Sequence, residues 1–273
     1  MISEIIQKRV STRTFSAEYL TPSHKEELNS FIEQNCPGIK IIEISDSEKP
    51  MKLLYGAIKG NKTYALGVTK HSREERLWYG YNMQKLVLKA TDMGVGSCWI
   101  GYFDHEYFKN HIPGKGTIIP GVVILGYAAE KRSTVEKLLR YTVRASKRME
   151  WDALFFDFDT LQPVNPKIAG IYANALEMVR LSPSSSNSQP WRIFIDSDNQ
   201  ELHFFKKPKS TTYEKMGMHE LDMGIAMCHF QLSMAESETP GEWQTIPGIK
   251  ISGQPLLQYV ISWTKKKTTQ LQG

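Results

Sequence analysis

The sequence predicts an α+β protein made of two tandem halves, residues 1–160 and 161–273, that repeat one another. Three observations lead there. Trp78-Tyr79-Gly80 through Leu88 to Trp99 aligns without gaps on Asp222-Met223-Gly224 through Leu232 to Trp243, at a constant offset of 144 (224−80, 243−99). The segments flanking this block recur in the same order with small shifts that loops absorb. Between the copies, Pro163 and Pro166 interrupt the pattern where a boundary belongs.

Each half reads helix, strand, core helix, strand. The first strand, Lys40-Ile41-Ile42-Glu43-Ile44, has its counterpart in Trp191-Arg192-Ile193-Phe194-Ile195, and Tyr64–Val68 forms another strand of the first half. The core helix of the first half carries Met83, Leu86, Val87 and Ala90 at helical spacing and stops near Met93-Gly94, where glycine serves as a cap. Its counterpart carries Ile225, Phe230, Leu232 and Ala235. Ile112-Pro113-Gly114 recurs as Ile246-Pro247-Gly248, and the strand Val122–Tyr127 recurs as Tyr259–Thr264.

Composition excludes several functions. With 273 residues, 41% hydrophobic and 11% aromatic, the chain builds packed cores. The apolar run at Met1–Lys8 is too short for a signal peptide, and no stretch nears the roughly 18 uncharged residues that cross a bilayer, so a cytoplasmic protein without membrane contact is expected. Cys36, Cys98 and Cys228 are odd in number and far apart, and the seven histidines lack the spacing of a ligand pair; neither a disulfide framework nor a metal site is expected. The net charge of +5 is mild, and Lys265-Lys266-Lys267 reads as a solvated end rather than a nucleic-acid arm.

The halves are unequal in polar chemistry. The first alone has Arg9-x-Ser11-x-Arg13-x-Phe15 and Gly94-Val95-Gly96-Ser97-Cys98-Trp99-Ile100-Gly101; the second alone has Ser182-Pro183-Ser184-Ser185-Ser186-Asn187-Ser188-Gln189-Pro190-Trp191. This last stretch is too rich in hydroxyls, amides and proline for a helix or central strand, yet it runs straight into one. Composition leaves it either a solvated linker or a binding loop docked on a core strand. Gly56 to Thr63 misses the phosphate-loop pattern because Asn61 takes the second glycine's place, and Gly94-x-Gly96 lacks the third glycine of a dinucleotide fingerprint.

At the arginine segment, the glycine-rich segment and the serine-proline loop the chain resembles the nitroreductase superfamily of flavin mononucleotide (FMN) oxidoreductases, in a fused two-copy form. Its members look like homodimers with two interface sites, each combining an N-terminal Arg-x-Ser-x-(Lys/Arg) segment of one subunit with a Ser-Pro-Ser loop of the other. The resemblance implies a nitroreductase-like three-layer fold whose halves form a pseudo-dimer within one monomeric chain, with one complete site and hence one FMN. It implies an enzyme that takes hydride from NADH or NADPH and passes it to small electrophiles such as nitroaromatics or quinones by a ping-pong route. The alternative is a degenerate flavin-binding module without turnover.

The same resemblance assigns residues. Arg9, Val10 and Ser11 fall on the phosphate-binding segment, with Lys147 or Arg148 as a second cation, and Arg13 falls near the pyrimidine edge of the ring. Pro183, Ser184, Ser185 and Asn187 match loop positions that touch the flavin from the other half, whereas Gln189 and Trp191 hold the loop. Trp99, Ile100, Gly101 and Tyr102 match the segment whose backbone faces the ring edge, and Lys59 or Lys62 is a further ring-edge cation. No side-chain nucleophile is required, because the flavin carries the chemistry.

Overall fold

The computed structural model describes residues 1–43, 58, 63–111, 116–142, 147–198 and 200–266. Along the chain it forms α1 (Ile2–Lys8), α2 (Pro22–Asn35), β1 (Ile39–Glu43), β2 (Thr63–Gly67), β3 (Thr69–Lys70), α3 (Arg73–Asp92), β4 (Gly96–Ile100), β5 (Thr117–Ile118), β6 (Val122–Gly126) and α4 (Thr134–Thr142). There follow β7 (Phe155–Asp157), α5 (Pro166–Ala169), α6 (Ala173–Arg180), β8 (Trp191–Asp196), β9 (Glu201–Lys206), α7 (Thr211–Lys215), α8 (Met218–Glu236), β10 (Gly241–Gln244) and β11 (Gln258–Lys265). Local chemistry fixes several boundaries. Ser72 caps α3 by accepting the Glu75 N–H at 3.0 Å, and Gly94, at φ +75°, turns the chain out of that helix.

Two sheets share one strand order. The first runs β1-β2-β6-β4, all antiparallel. The second runs β8-β9-β11-β10, also antiparallel, with β7 added in parallel at the outer side of β8. The strands expected at 40–44, 64–68, 122–127, 191–195 and 259–264 all form, within a residue or two at the ends. Ile112-Pro113-Gly114, Lys59 and Lys62 lie outside the described residues. Strand β7 precedes the double-proline break, yet it belongs to the sheet of the later part of the chain.

The central helices α3 and α8 lie between the sheets and feed both cores. Leu77, Tyr81 and Leu88 of α3 join the core of the second sheet, while Tyr79, Met83, Leu86, Val87 and Ala90 join Ala65, Val123 and Leu125 under the first. On the other face of the first sheet, Tyr64, Leu66, Cys98, Val122 and Ile124 pack with Phe15, Phe103 and Phe108. Burial on both faces explains why β2 and β6 read as unbroken apolar runs rather than alternating ones.

The crossing of α3 and α8 depends on two glycines. A Cβ on Gly80 would collide with the backbone of Leu221, and a Cβ on Gly224 with the carbonyl of Leu77 and the amide of Tyr81. The contacts are reciprocal at the offset seen in the sequence, since 224−80 and 221−77 both give 144.

Candidate functional site

After α1 the N-terminal segment runs along the free side of β4. Ser11 bridges Ser97 in parallel, the Thr12 N–H donates to the Ser97 carbonyl at 2.8 Å, and Phe15 bridges Ala128. The approach needs Gly96, where a Cβ would come within 2.7 Å of the Thr12 hydroxyl. Thr12 is buried and Val10 exposed. Arg9 is buried too, and its Nε finds no hydrogen-bond partner among the described residues; the same holds for Nε and Nη1 of Arg13.

Two further arginines converge on this pair. Arg140 comes from α4, a helix fastened to the N-terminal segment by Glu136, which accepts the Thr14 hydroxyl at 2.7 Å; Arg140 Nη1 reaches the Ser11 carbonyl at 3.5 Å. Arg148 follows α4 and donates to Asn187 Oδ1 at 3.1 Å and to the Leu181 carbonyl at 3.3 Å. Burial, then the charges of Arg148, Arg13 and Arg140, push the Arg9 pKa down to about 10. Burial likewise lowers those of Arg148 and Arg140, with neighbouring arginines adding to the effect. Crowded cations with buried, unbonded N–H groups make a receptor for an anion of high charge, such as a phosphate monoester.

The serine-proline loop docks on this cluster through its own framework. Asp222, buried near the start of α8, accepts the Ser185 N–H at 2.8 Å, the Ser185 hydroxyl at 3.1 Å and the Ser188 hydroxyl at 3.4 Å. Gln189 accepts the Met149 N–H at 2.8 Å on its side-chain oxygen, and its own N–H donates to the Ser184 hydroxyl at 2.9 Å. Asn187 Nδ2 donates to the Lys147 carbonyl at 2.8 Å. So braced, Ser186, Asn187 and Gln189 hold left-handed φ values of 48°, 55° and 48°, each costing about 1–2 kcal/mol for a residue with a Cβ. Gln189 is buried and Trp191 sits wholly within the core of the second sheet.

Trp99 and Ile100 end β4, with Ile100 buried and Trp99 half-buried. Gly101 lies four residues past Ser97, about 13 Å further along at strand spacing. A Cβ on Gly101 would meet Sδ of Met218 at 2.5 Å, so within this structure its missing side chain makes room for the first turn of α8. Tyr102 is exposed. Behind them runs a buried chain of bonds: Trp99 Nε1–H donates to Gln84 Oε1 at 3.0 Å, Gln84 Nε2 to His229 Nε2 at 2.8 Å, and His229 Nδ1 to the Met178 carbonyl at 2.9 Å. Burial drives the His229 pKa down to about 3, so the ring is neutral and this tautomer is consistent throughout.

A family model described as "Putative TM nitroreductase" matches residues 1–234. The chain belongs to this nitroreductase family. A nitroreductase-family structure from Thermotoga maritima MSB8 is similar over nearly the full length, with a TM-score of 0.62, 20% identity, and coverage of 96% of this chain and 93% of that one. Half-length similarities include a nitroreductase family protein from Clostridium novyi NT (TM-score 0.39, 19% identity, 50% of this chain and 90% of that one). Another is a nitroreductase with bound FMN from Bacteroides fragilis NCTC 9343 (TM-score 0.35, 18% identity, 49% and 93%). A search of the curated proteins finds no match.

Within this family member, the fold gathers Arg9, Ser11, Arg13, Arg148 and Asn187, while Ser184 and Ser185 turn their polar atoms inward to hold the loop. Sequence reasoning missed Arg140 and Asp222 as members of the site. The spacing Arg132-x-x-x-Glu136-x-x-x-Arg140 was a legible signal for the first, a buried acid with a base four residues to either side, Arg132 just before α4 and Arg140 on it. For Asp222, which follows His219 and Glu220 at the start of a mostly apolar helix, the signal was the cost of burying a carboxylate without donors.

Proposed function

We propose that the chain is an FMN-dependent NAD(P)H oxidoreductase reducing small electrophiles such as nitroaromatics or quinones, with two nitroreductase-like halves, divided near residue 160, forming a pseudo-dimer in one chain. The observation that carries the reading is the four-arginine cluster: the unbonded donor on Arg9 fits the phosphate of FMN, and those on Arg13 fit the electron-rich edge of its ring. The reciprocal contacts of Gly80 and Gly224, and the shared strand order of the two sheets, support the duplicated architecture.

FMN supplies the hydride chemistry, accepting from NAD(P)H and giving to the oxidant in turn. The protein's residues bind and orient. Arg9, Ser11 and Val10 with Arg140 and Arg148 hold the phosphate end, and Arg13 sets a fixed positive charge toward the edge where negative charge gathers on reduction. The Trp99–Tyr102 segment places backbone near the ring, and Pro183, Ser184, Ser185 and Asn187 close the slot from the second half; Lys59 is assigned the ring edge from sequence. Asp222 and Gln189 keep that loop in its left-handed form, so its shape is set before ligand arrives.

The test is the visible spectrum of the purified chain, its flavin-to-chain ratio, and anaerobic addition of NADPH and NADH. A yellow chain near one FMN that bleaches supports the oxidoreductase. A yellow chain that stays yellow points to the binding module without turnover, and a colourless chain that FMN cannot saturate overturns both.

A further inference from the structure

The hairpin of β8 and β9 sets Asp196 directly opposite Glu201, with His203 two residues on and therefore on the same face. Like charges directly opposed across a ladder are destabilising unless something lies between them. His203 is fully buried, and its Nε2, with no hydrogen-bond partner among the described residues, is 3.8 Å from Asp196 Oδ2 and 3.8 Å from Glu201 Oε2. One ligand atom from each of the three residues lies within 4.8 Å of the others.

The proton on the imidazole is placed by the neighbouring strand. His203 Nδ1 is 2.8 Å from Ser262 Oγ in β11, Ser262 Oγ is 2.7 Å from Tyr259 Oη, and Tyr259 Oη accepts the Ile246 N–H at 3.0 Å and faces the Gln244 carbonyl. Hydroxyl protons that run toward the Gln244 carbonyl at the end of this chain leave the ring proton on Nδ1, the tautomer that a metal ion bound at Nε2 requires. Nε2 then turns a lone pair toward two carboxylates. The ring of Phe158, edge-on with centroids 4.5 Å apart, packs against the imidazole. An imidazole held by a second hydrogen bond and facing two carboxylates is the arrangement of a ligating histidine.

We propose that Asp196, Glu201 and His203 bind a divalent first-row metal ion, of which Zn²⁺ is the representative, joining the β8–β9 hairpin to β11. Ligand atoms each about 2.1 Å from Zn²⁺ stand about 3.4 Å apart at tetrahedral angles, so each carboxylate, now 3.8 Å from Nε2, closes on it by a few tenths of an ångström, and the two carboxylate oxygens, within 4.8 Å of each other, close by up to about 1.4 Å. Half-buried Glu201 leaves the fourth position to water. Asp196 lies five residues along β8 from Trp191, about 17 Å at strand spacing, so the ion is structural and remote from the arginine cluster. No spacing of histidines announced it, because one strand supplies the aspartate and its partner the other two ligands.

The experiment is calorimetric titration of ZnCl₂ into the untagged, EDTA-treated full chain, with thermal melting of the same samples and of Asp196→Asn, Glu201→Gln and His203→Gln. One Zn²⁺ per chain, a higher Tm with the ion, and at least tenfold weaker binding in Asp196→Asn and Glu201→Gln are expected, with FMN binding unchanged. Equal Zn²⁺ binding by the wild type and the variants, or none by the wild type up to millimolar ion, overturns the site. Because Glu201 lies near the hairpin end and is partly exposed, Glu201→Gln folds and decides the matter should His203→Gln fail to.

Discussion

Replacing Arg9 by methionine, which keeps the straight apolar stem and removes the charge, should stabilise the flavin-free chain while destroying its affinity for FMN. The buried guanidinium has its pKa pushed from 12.5 to about 10, equivalent to about 3 kcal/mol of unfavourable environment for the charged form. At pH 7 arginine is charged both folded and unfolded, so this cost weighs against the fold in full and titration does not relieve it. Its Nε also lacks a hydrogen-bond partner among the described residues, which adds to the cost. Urea unfolding of flavin-free wild type and Arg9→Met would read the difference, expected at about 1–3 kcal/mol in favour of the variant once lost side-chain packing is set against the gain. FMN titration should show at least a tenfold loss of affinity, from about 1.5–3 kcal/mol per charge-assisted bond. Added inorganic phosphate should stabilise wild type more than variant. A variant that is less stable without flavin and still binds FMN normally would refute the reasoning and make Arg9 a structural residue.

Other expectations follow from the same structure. Arg13→Ala should slow reduction by NAD(P)H as well as weaken FMN binding, whereas Arg9→Ala should chiefly weaken binding; stopped-flow bleaching at saturating FMN separates the two, and equal effects would undo that division. Gly224→Ala should lose stability despite a gain of about 1 kcal/mol in helix propensity, because the new Cβ meets the Leu77 carbonyl; a chemical melt showing net stabilisation would contradict the crossing described. Asp222→Ala strands the Ser185 N–H and should weaken FMN binding about tenfold, with partial recovery in Asp222→Asn. Since the His229 pKa falls from 6.5 to about 3 on folding, the unfolded chain binds the extra proton between those values. Stability from this group therefore rises with pH across that window, by about 1.4 kcal/mol per pH unit, and a His229→Gln variant should show a flatter slope in urea midpoints from pH 4.5 to 6.5.

Much of the fold was legible because apolar periodicity and the offset of 144 are properties of the core, and the core decides the helices and sheets. Gly80 and Gly224 aligned as sequence and met as structure for one reason, the close passage of two helices. The arginine segment and the serine-proline loop were legible as chemistry, since hydroxyls, amides and guanidinium groups in those orders have few structural uses. What the sequence hid was whatever depends on chain crossing. Strand β7 joins a sheet by parallel pairing that no local pattern encodes. Arg140 and Asp222 carry local signals of their own, but nothing local says which other segments their helices meet. Asp196, Glu201 and His203 meet only because a hairpin folds their strands together.

The site collects the features a fold would otherwise avoid. Three left-handed residues bearing Cβ atoms, a buried aspartate with its pKa raised by burial and four crowded arginines are brought together here from distant parts of the chain. Each costs stability, and none improves a core. The neighbouring packing is correspondingly complete: α8 is buried almost all round from Met218 to Phe230, and Trp191, the residue after the loop, is wholly enclosed. A loop held under such strain by Asp222 and Gln189 does not need to be ordered by its ligand, so binding energy is left for the arginines to spend on an anion. This also explains why the deepest test is a stability measurement. If the arginines are there for a phosphate, removing one must help the empty fold and harm the filled one, and no purely structural role for Arg9 gives both signs at once.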